Sequence, residues 1–277
     1  REAAYHVKDF MTDNQKALTY LKIGKKMLER ENYRGAIELF SEGCSFNPSP
    51  SLFTQRALAY KALNLWEEAY YEYSYAIRME PTNGGFFCLR GMCAAKLMRI
   101  SLALADLDQA ISHDPTPYHL YVKGTILADD KQYDKAIGMF SNALNFEVIS
   151  DDIKMRCIHR KALCSFEQRE YGRALDILKL ILNHDPNAVQ PRVLLGRTYK
   201  MTGDLTQAEE HLEHCIILDE THASYHAELG DIRFRANQKL KIVDAVYSFD
   251  KAIELAEAER QKMIELLAGY VEQEKAY

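Results

Sequence analysis

Residues 33–48 read YRGAIELFSEGCSFNP, and residues 133–146 read YDKAIGMFSNALNF. In both, an alanine (Ala36, Ala136) is followed at offset 4 by phenylalanine (Phe40, Phe140) and at offset 7 by a small residue (Gly43, Ala143). Those offsets trace one stripe of an α-helix. Working outward, the alanine recurs at Ala69, Ala103, Ala174, Ala208 and Ala245, so the seven copies are separated by 33, 34, 33, 38, 34 and 37 residues. A large group stands at offset 4 in the other copies (Tyr73, Leu107, Leu178, Leu212, Phe249), and Ala76, Ala110, Ile181, Cys215 and Ala252 stand at offset 7. Pro48, Pro81, Pro115 and Pro186 follow where the helix must stop.

A second periodic stretch precedes each of these and carries a small residue in register: Gly24, Ala57, Gly91, Gly124, Ala162, Gly196 and Gly230. Glycine inside a helix is less favourable than alanine by about 1 kcal/mol. Its recurrence at one register position predicts close helix–helix approach, where a larger group would collide. A short turn joins the two helices, as at Glu31-Asn32, Leu63-Asn64, Lys131-Gln132 and Gly203-Asp204. An aromatic or aliphatic residue comes next (Tyr33, Trp66, Ile100, Tyr133, Tyr171, Leu205), so the single tryptophan falls at a packing position.

A helix–turn–helix unit of about 34 residues with these landmarks resembles the tetratricopeptide repeat. The resemblance runs from about Lys16 to Glu257 and includes LLGRTYKMTGDLTQAEEHL at the passage between helices. It implies an all-α fold, a right-handed α-solenoid of antiparallel helix pairs whose first helices line the concave side. The repeats are expected at 17–49, 50–83, 84–116, 117–154, 155–188, 189–222 and 223–257. A lead-in or cap is expected over 1–16 and a capping helix over 258–277, since terminal repeats need a polar cover. Two stretches depart from the pattern: EVISDD (147–152) inserts about four residues, with Val148 in place of the proline, and NQKLKIV (237–243) lengthens the seventh copy.

Composition agrees with a folded chain. Of 277 residues, 47% are hydrophobic and 27% charged, which excludes disorder. With 35 basic and 40 acidic residues the net charge is -5, and nucleic acid is not the expected partner. No apolar run approaches the ~18 residues of a membrane span. The sequence begins at Arg1 without a secretory segment and reads as part of a longer intracellular, cytoplasmic polypeptide. Cys44, Cys88, Cys93, Cys157, Cys164 and Cys215 form no CxxC pair and read as reduced, buried thiols.

The sequence holds no G-x-S-x-G, Walker A or G-x-G-x-x-G motif, and NGGFFCLRG (83–91) is a turn before a helix. His211/His214 and His222/His226 have spacings that share a helix face, yet lack H-E-x-x-H or a cysteine at metal spacing. No enzyme activity, cofactor or metal is expected.

Register predicts the partner-binding groove from first-helix positions outside the helix–helix contacts. These are Lys25 and Gln55, with Lys22, Thr54 and Lys61 beside them; Cys88, Leu89, Met92, Tyr118, Tyr121, Val122 and Thr125; then His159, Arg160 and Arg197, with Lys200. The middle is apolar and aromatic with basic flanks, a composition suited to a peptide or helix. Residues 151–200 carry ten basic and six acidic groups, and Arg156, Arg160, Lys161, Arg169 and Arg173 among them suit an acidic surface. Some members of the family grip acidic chaperone tails with a clamp of lysine, asparagine and arginine. The corresponding positions here hold Leu21, Lys25, Gln55, Gly85 and Leu89, or Tyr121, Thr125, Arg160, Gln190 and Leu194, which disfavours that ligand.

The chain therefore reads as a non-catalytic scaffold binding another protein. The alternatives are an architectural component of a ciliary or cytoskeletal assembly, and a regulatory region attached to an enzyme domain elsewhere. Gly91→Leu is expected to destabilise the fold by roughly 1–3 kcal/mol through overpacking; an unaltered melting curve would contradict the repeat register.

Overall fold

A computed structural model describes residues 11–236 and 244–261. The lead-in over residues 1–10, the insertion at 237–243 and the capping segment beyond residue 261 lie outside the described residues. The helices are α1 (Asp13–Glu29), α2 (Tyr33–Phe46), α3 (Pro50–Ala62), α4 (Trp66–Met79), α5 (Gly84–Lys96), α6 (Ile100–His113), α7 (Pro117–Asp129) and α8 (Tyr133–Leu144). They continue as α9 (Asp151–Glu167), α10 (Tyr171–His184), α11 (Val189–Thr202), α12 (Leu205–Leu218) and α13 (Ala223–Arg235), and residues 244–261 are also helical. Among the described residues there is no strand. The chain forms two compact units that meet in sequence at Lys154 and Met155, each a stack of antiparallel helix pairs.

The helix starts follow local chemistry. Thr12 caps α1 in a capping box with Gln15, whose amide donates to Thr12 Oγ1 over 3.3 Å and whose Oε1 accepts from the Thr12 amide over 2.9 Å. Ser49 and Thr116 cap α3 and α7, each followed by a proline in the first helical turn.

The turn inside each pair is the same structure six times. Glu31, Asn64, Met98, Lys131 and Arg169 adopt left-handed backbone with φ of 59–62°, and Gly203 takes φ of 88°. The next amide donates to the carbonyl five residues back: Asn32 to Met27, Leu65 to Tyr60, Arg99 to Ala94, Gln132 to Leu127, Glu170 to Ser165 and Asp204 to Tyr199, all within 2.8–3.0 Å. This Schellman closure satisfies the last carbonyls of the first helix. It holds the side-chain-bearing residues in a conformation that is unfavourable by about 1–2 kcal/mol.

Close approach explains the small-residue row. A Cβ on Gly124 would lie 2.7 Å from Phe140 Cε1, and one on Gly230 would lie 2.9 Å from Phe249 Cδ1. At Gly91 the obstacle is the Ala103 carbonyl oxygen at 3.0 Å, at Gly196 it is Leu212 Cγ at 3.3 Å, and the Phe40 ring occupies the space over Gly24. Ala57 meets Tyr73, and Ala162 meets Leu178, in the same kind of cluster. The side chains of Phe40, Tyr73, Leu107, Phe140, Leu178 and Leu212 are fully buried.

The insertion at 147–152 is helical from Asp151 onward. α3, α5 and α7 each have 13 residues, whereas α9 has 17, one further turn at its N-terminus. Val148 is left exposed in the connection before it.

Met98 is 81% exposed and in the left-handed region, so its side chain contributes strain with little packing. Met98→Gly is expected to stabilise the fold by about 0.5–1 kcal/mol, strain relief outweighing the extra freedom of the unfolded glycine. Chemical denaturation checks this, and a lowered midpoint would count against strain at the turn.

Candidate partner-binding face

In the first unit, first helices come close to one another as well as to their partners: α1 approaches α3, and α5 approaches α7. Each small residue turns toward the second helix, so the residue after it, about 100° further around, turns away from that contact. Those residues are Lys25, Leu58, Met92 and Thr125. Lys25 is exposed, Leu58 is 40% exposed, and Met92 and Thr125 are half-buried. Tyr118, 41% exposed, directs its hydroxyl to Met92 Sδ at 3.8 Å, linking α7 to α5.

The remaining predicted groove residues separate into two groups. Gln55, Leu89 and Tyr121 are half-buried; Leu89 packs against Tyr73 and Cys93, and the Tyr121 ring lies 6.1 Å from Phe140. Cys88 and Val122 are 1% and 6% exposed and sit in the core with Leu107 and Ile126, so they are packing residues and not groove lining. Register does not separate them, since Cys88 matches Tyr121 and Val122 matches Leu89; the small Cys88 and Val122 side chains are covered by their neighbours where the longer ones are not. Burial pushes the Cys88 thiol up to about 12 and Cys93 to about 11, partly offset by the nearby Lys61 ammonium.

His159, Arg160 and Arg197 belong to the second unit. His159 and Arg160 are half-buried, and burial, then the Arg160 charge, depresses the His159 imidazole. Arg197 forms an ion pair with Glu228 of α13, its Nε 2.9 Å from the carboxylate. Lys200 pairs with Asp231 at 3.2 Å, and Arg235 contacts the same carboxylate at 3.0 Å. A ligand carboxylate at Arg197 would therefore compete with Glu228. Of the basic block around it, Arg173 bonds to Glu170 at 3.1 Å.

A second set of cations was not evident from the landmark pattern. Arg56 and Arg90 stand immediately before the small residues Ala57 and Gly91. Arg56 contacts Glu72 at 2.8 Å and Ser41 of the preceding pair at 3.0 Å. Arg90 contacts both Asp106 oxygens, at 2.9 and 2.6 Å, and Ser74 of the preceding pair at 3.3 Å. Lys123, at the same register, pairs with Asp108 of the preceding pair. These cations hold helix pairs together and are not available to a ligand. For the two arginines the signal was present in sequence, each standing 16 residues before its carboxylate.

Three of the four histidines singled out by spacing make local contacts, although His222 is exposed. His226 Nε2 lies 3.0 Å from the Glu220 carbonyl, His211 stacks on Tyr199 at 5.6 Å, and His222 stacks on Tyr225 at 4.2 Å. Among the described residues no three His, Cys, Asp or Glu side chains converge as metal ligands, and no helix is long and apolar enough to cross a membrane.

Comparison with known proteins agrees with the geometry. The tetratricopeptide repeat model matches residues 165–229. A tetratricopeptide repeat protein of known structure from Parabacteroides merdae superposes with a TM-score of 0.70 at 18% identity, over 87% of this chain and 93% of that one. Tetratricopeptide repeat protein 16 of Mus musculus is 22% identical over 64% of this chain and 24% of its own length. The BBSome complex member BBS4 of Bos taurus is 20% identical over 87% of this chain and 46% of its own. The chain spans 17–46% of the length of the curated relatives it matches. The chain has the fold of tetratricopeptide repeat proteins, with about seven helix pairs. Its fold is that of a protein–protein interaction scaffold.

The thiols give a direct test of the packing. Cys88, Cys93, Cys157, Cys164 and Cys215 are buried, and only Cys44 is half-buried. Iodoacetamide is expected to modify Cys44 at least about tenfold faster than the other five in the native protein, since reaction needs an accessible thiolate. Peptide mapping reads this, and equal rates would contradict the core.

Proposed function

We propose that the chain is a non-catalytic scaffold that holds a partner peptide or helix along the first-helix face. The supporting observation is the apolar row of Leu58, Met92 and Tyr118, which the second helices leave partly open to solvent. Apolar surface left open on one side of a helical stack favours association with another apolar segment. In this reading Lys25, Gln55, Leu89, Tyr121 and Thr125 join this row in the first unit, and His159, Arg160 and Arg197 are candidate contacts on the first helices of the second unit taken by itself. In this reading each repeat is one of the successive helix pairs.

A second reading is a fixed subunit of a large assembly. It is favoured by the similarity to BBS4, which extends over 87% of this chain and whose name places that protein in the BBSome complex. A cytoplasmic, ciliary or cytoskeletal setting belongs to this reading.

Crosslinking mass spectrometry from the native source tests the proposal. Crosslinks to a partner are expected at Lys22, Lys25 and Lys61. The double substitution Leu58→Asp and Tyr118→Asp is expected to remove them with helicity preserved, whereas Leu102→Asp on α6 leaves them in place. Crosslinks confined to second helices would sink the first-helix assignment. A protein found only in one large, stoichiometric particle on size exclusion would favour the fixed-subunit reading.

A further inference from the structure

We propose that the outer face of α4 pairs two copies of this chain in an antiparallel, two-fold contact. The inference is independent of the first-helix face.

α4 buries Ala69, Tyr73 and Ala76 and turns its opposite side outward. That outward side carries Tyr71 and Tyr75, 54% and 45% exposed, which stand four residues apart and share one stripe of the helix. The repeat makes no demand for them. At the same register α2 holds Glu38 and Glu42, α6 holds Ala105 and Gln109, and α8 holds Gly138 and Asn142. The other second helices of the first unit thus meet solvent with small or polar groups, and α4 alone offers two rings. Tyrosine is large enough to anchor a contact and polar enough to stay in water between encounters. Tyr75 is also held in place, stacked on Phe53 at 5.4 Å.

The order of residues along the stripe identifies the occupant. Tyr71 and Tyr75 stand two residues either side of position 73, and Glu68 and Arg78 stand five residues either side of it. A second α4 laid antiparallel about a two-fold axis at that level sets Tyr71 against Tyr75 of the partner subunit. The same operation sets Glu68 against Arg78 of the partner subunit, and each pair forms twice. A parallel arrangement would instead bring like charges together, which is unfavourable. Both charges are available. Glu68 is exposed, Arg78 lies over the Tyr75 ring at 5.6 Å, and neither has an ion-pair partner among the described residues. Glu67, one residue before, is already paired with Arg99 at 2.9 Å.

The contact is small. Four half-exposed tyrosines bury roughly 300–500 Å² of surface, against the ~1,200 Å² at which stable complexes begin. The dimer is therefore weak, with a Kd of about 10–100 µM, and dissolves on dilution. The exposed Glu38 and Glu42 of the neighbouring α2 border the stripe and confine the contact to α4.

Sedimentation equilibrium of the whole chain from about 5 to 500 µM tests this. A monomer–dimer equilibrium is expected. Tyr71→Gln with Tyr75→Gln is expected to weaken it at least about tenfold with the circular dichroism spectrum unchanged. Glu68→Arg alone and Arg78→Glu alone each place like charges together, and each is expected to weaken it about tenfold. An equimolar mixture of these two single variants restores opposite charges at both ends, and is expected to associate as the unsubstituted chain does. A residue that merely supports the fold would not be rescued by mixing, so the charge reversals carry the test should the tyrosine variant unfold. A chain that stays monomeric throughout the range, a dimer indifferent to the tyrosine substitutions, single reversals left weak by mixing, or growth into open-ended oligomers would overturn the proposal.

Discussion

The structure depends on one contact made seven times: a large side chain of each second helix seated on a small residue of its first helix. Phe40 over Gly24 and Phe140 over Gly124 leave no room for a Cβ. Where the second helix offers Tyr73 or Leu178, alanine takes the glycine's place. In the first six the sequence distance between the two partners is fixed by the tight turn, so the contact and the turn together set the length of the unit. A helix pair this short cannot bury its apolar surface alone, and stacking supplies the remainder.

This contact also decides what is left for function. Once the small residue points at the second helix, helical geometry directs the next residue away from it. The repeat thus creates a row whose identity is free to vary: Lys25, Leu58, Met92 and Thr125 in the first unit. The residue before the small one is constrained instead. Arg56, Arg90 and Lys123 occupy that position and reach carboxylates or hydroxyls on second helices. Two steps along the chain separate a cation that holds the fold from a side chain turned away from the second helix.

The fold was legible in the sequence because the same landmarks recur in register and each has a steric reason. The candidate face was legible only in part. Cys88 and Val122 share the apolar character of Met92 and Tyr118, and nothing in residue type distinguishes an apolar side chain that packs on the next first helix from one that remains open. Arg197 read as a free cation because its partner, Glu228, stands 31 residues away on another pair. The left-handed turn residues were hidden for a different reason: Met98, Lys131 and Arg169 are not residue types that favour such backbone, and the closing hydrogen bond of the next amide accompanies it in each turn.

The arginines that join each pair to its predecessor have a consequence for how the protein comes apart. Arg56 and Arg90 each bind one group of their own pair and one of the pair before. Such links pass support to an adjacent pair and no further, so cooperativity decays along the array. Denaturation should then spread inward from frayed ends as a moving boundary, with different probes along the chain reporting different midpoints. Protease sensitivity would grade in the same way, greatest in the outermost helix pairs and least in the interior of each unit.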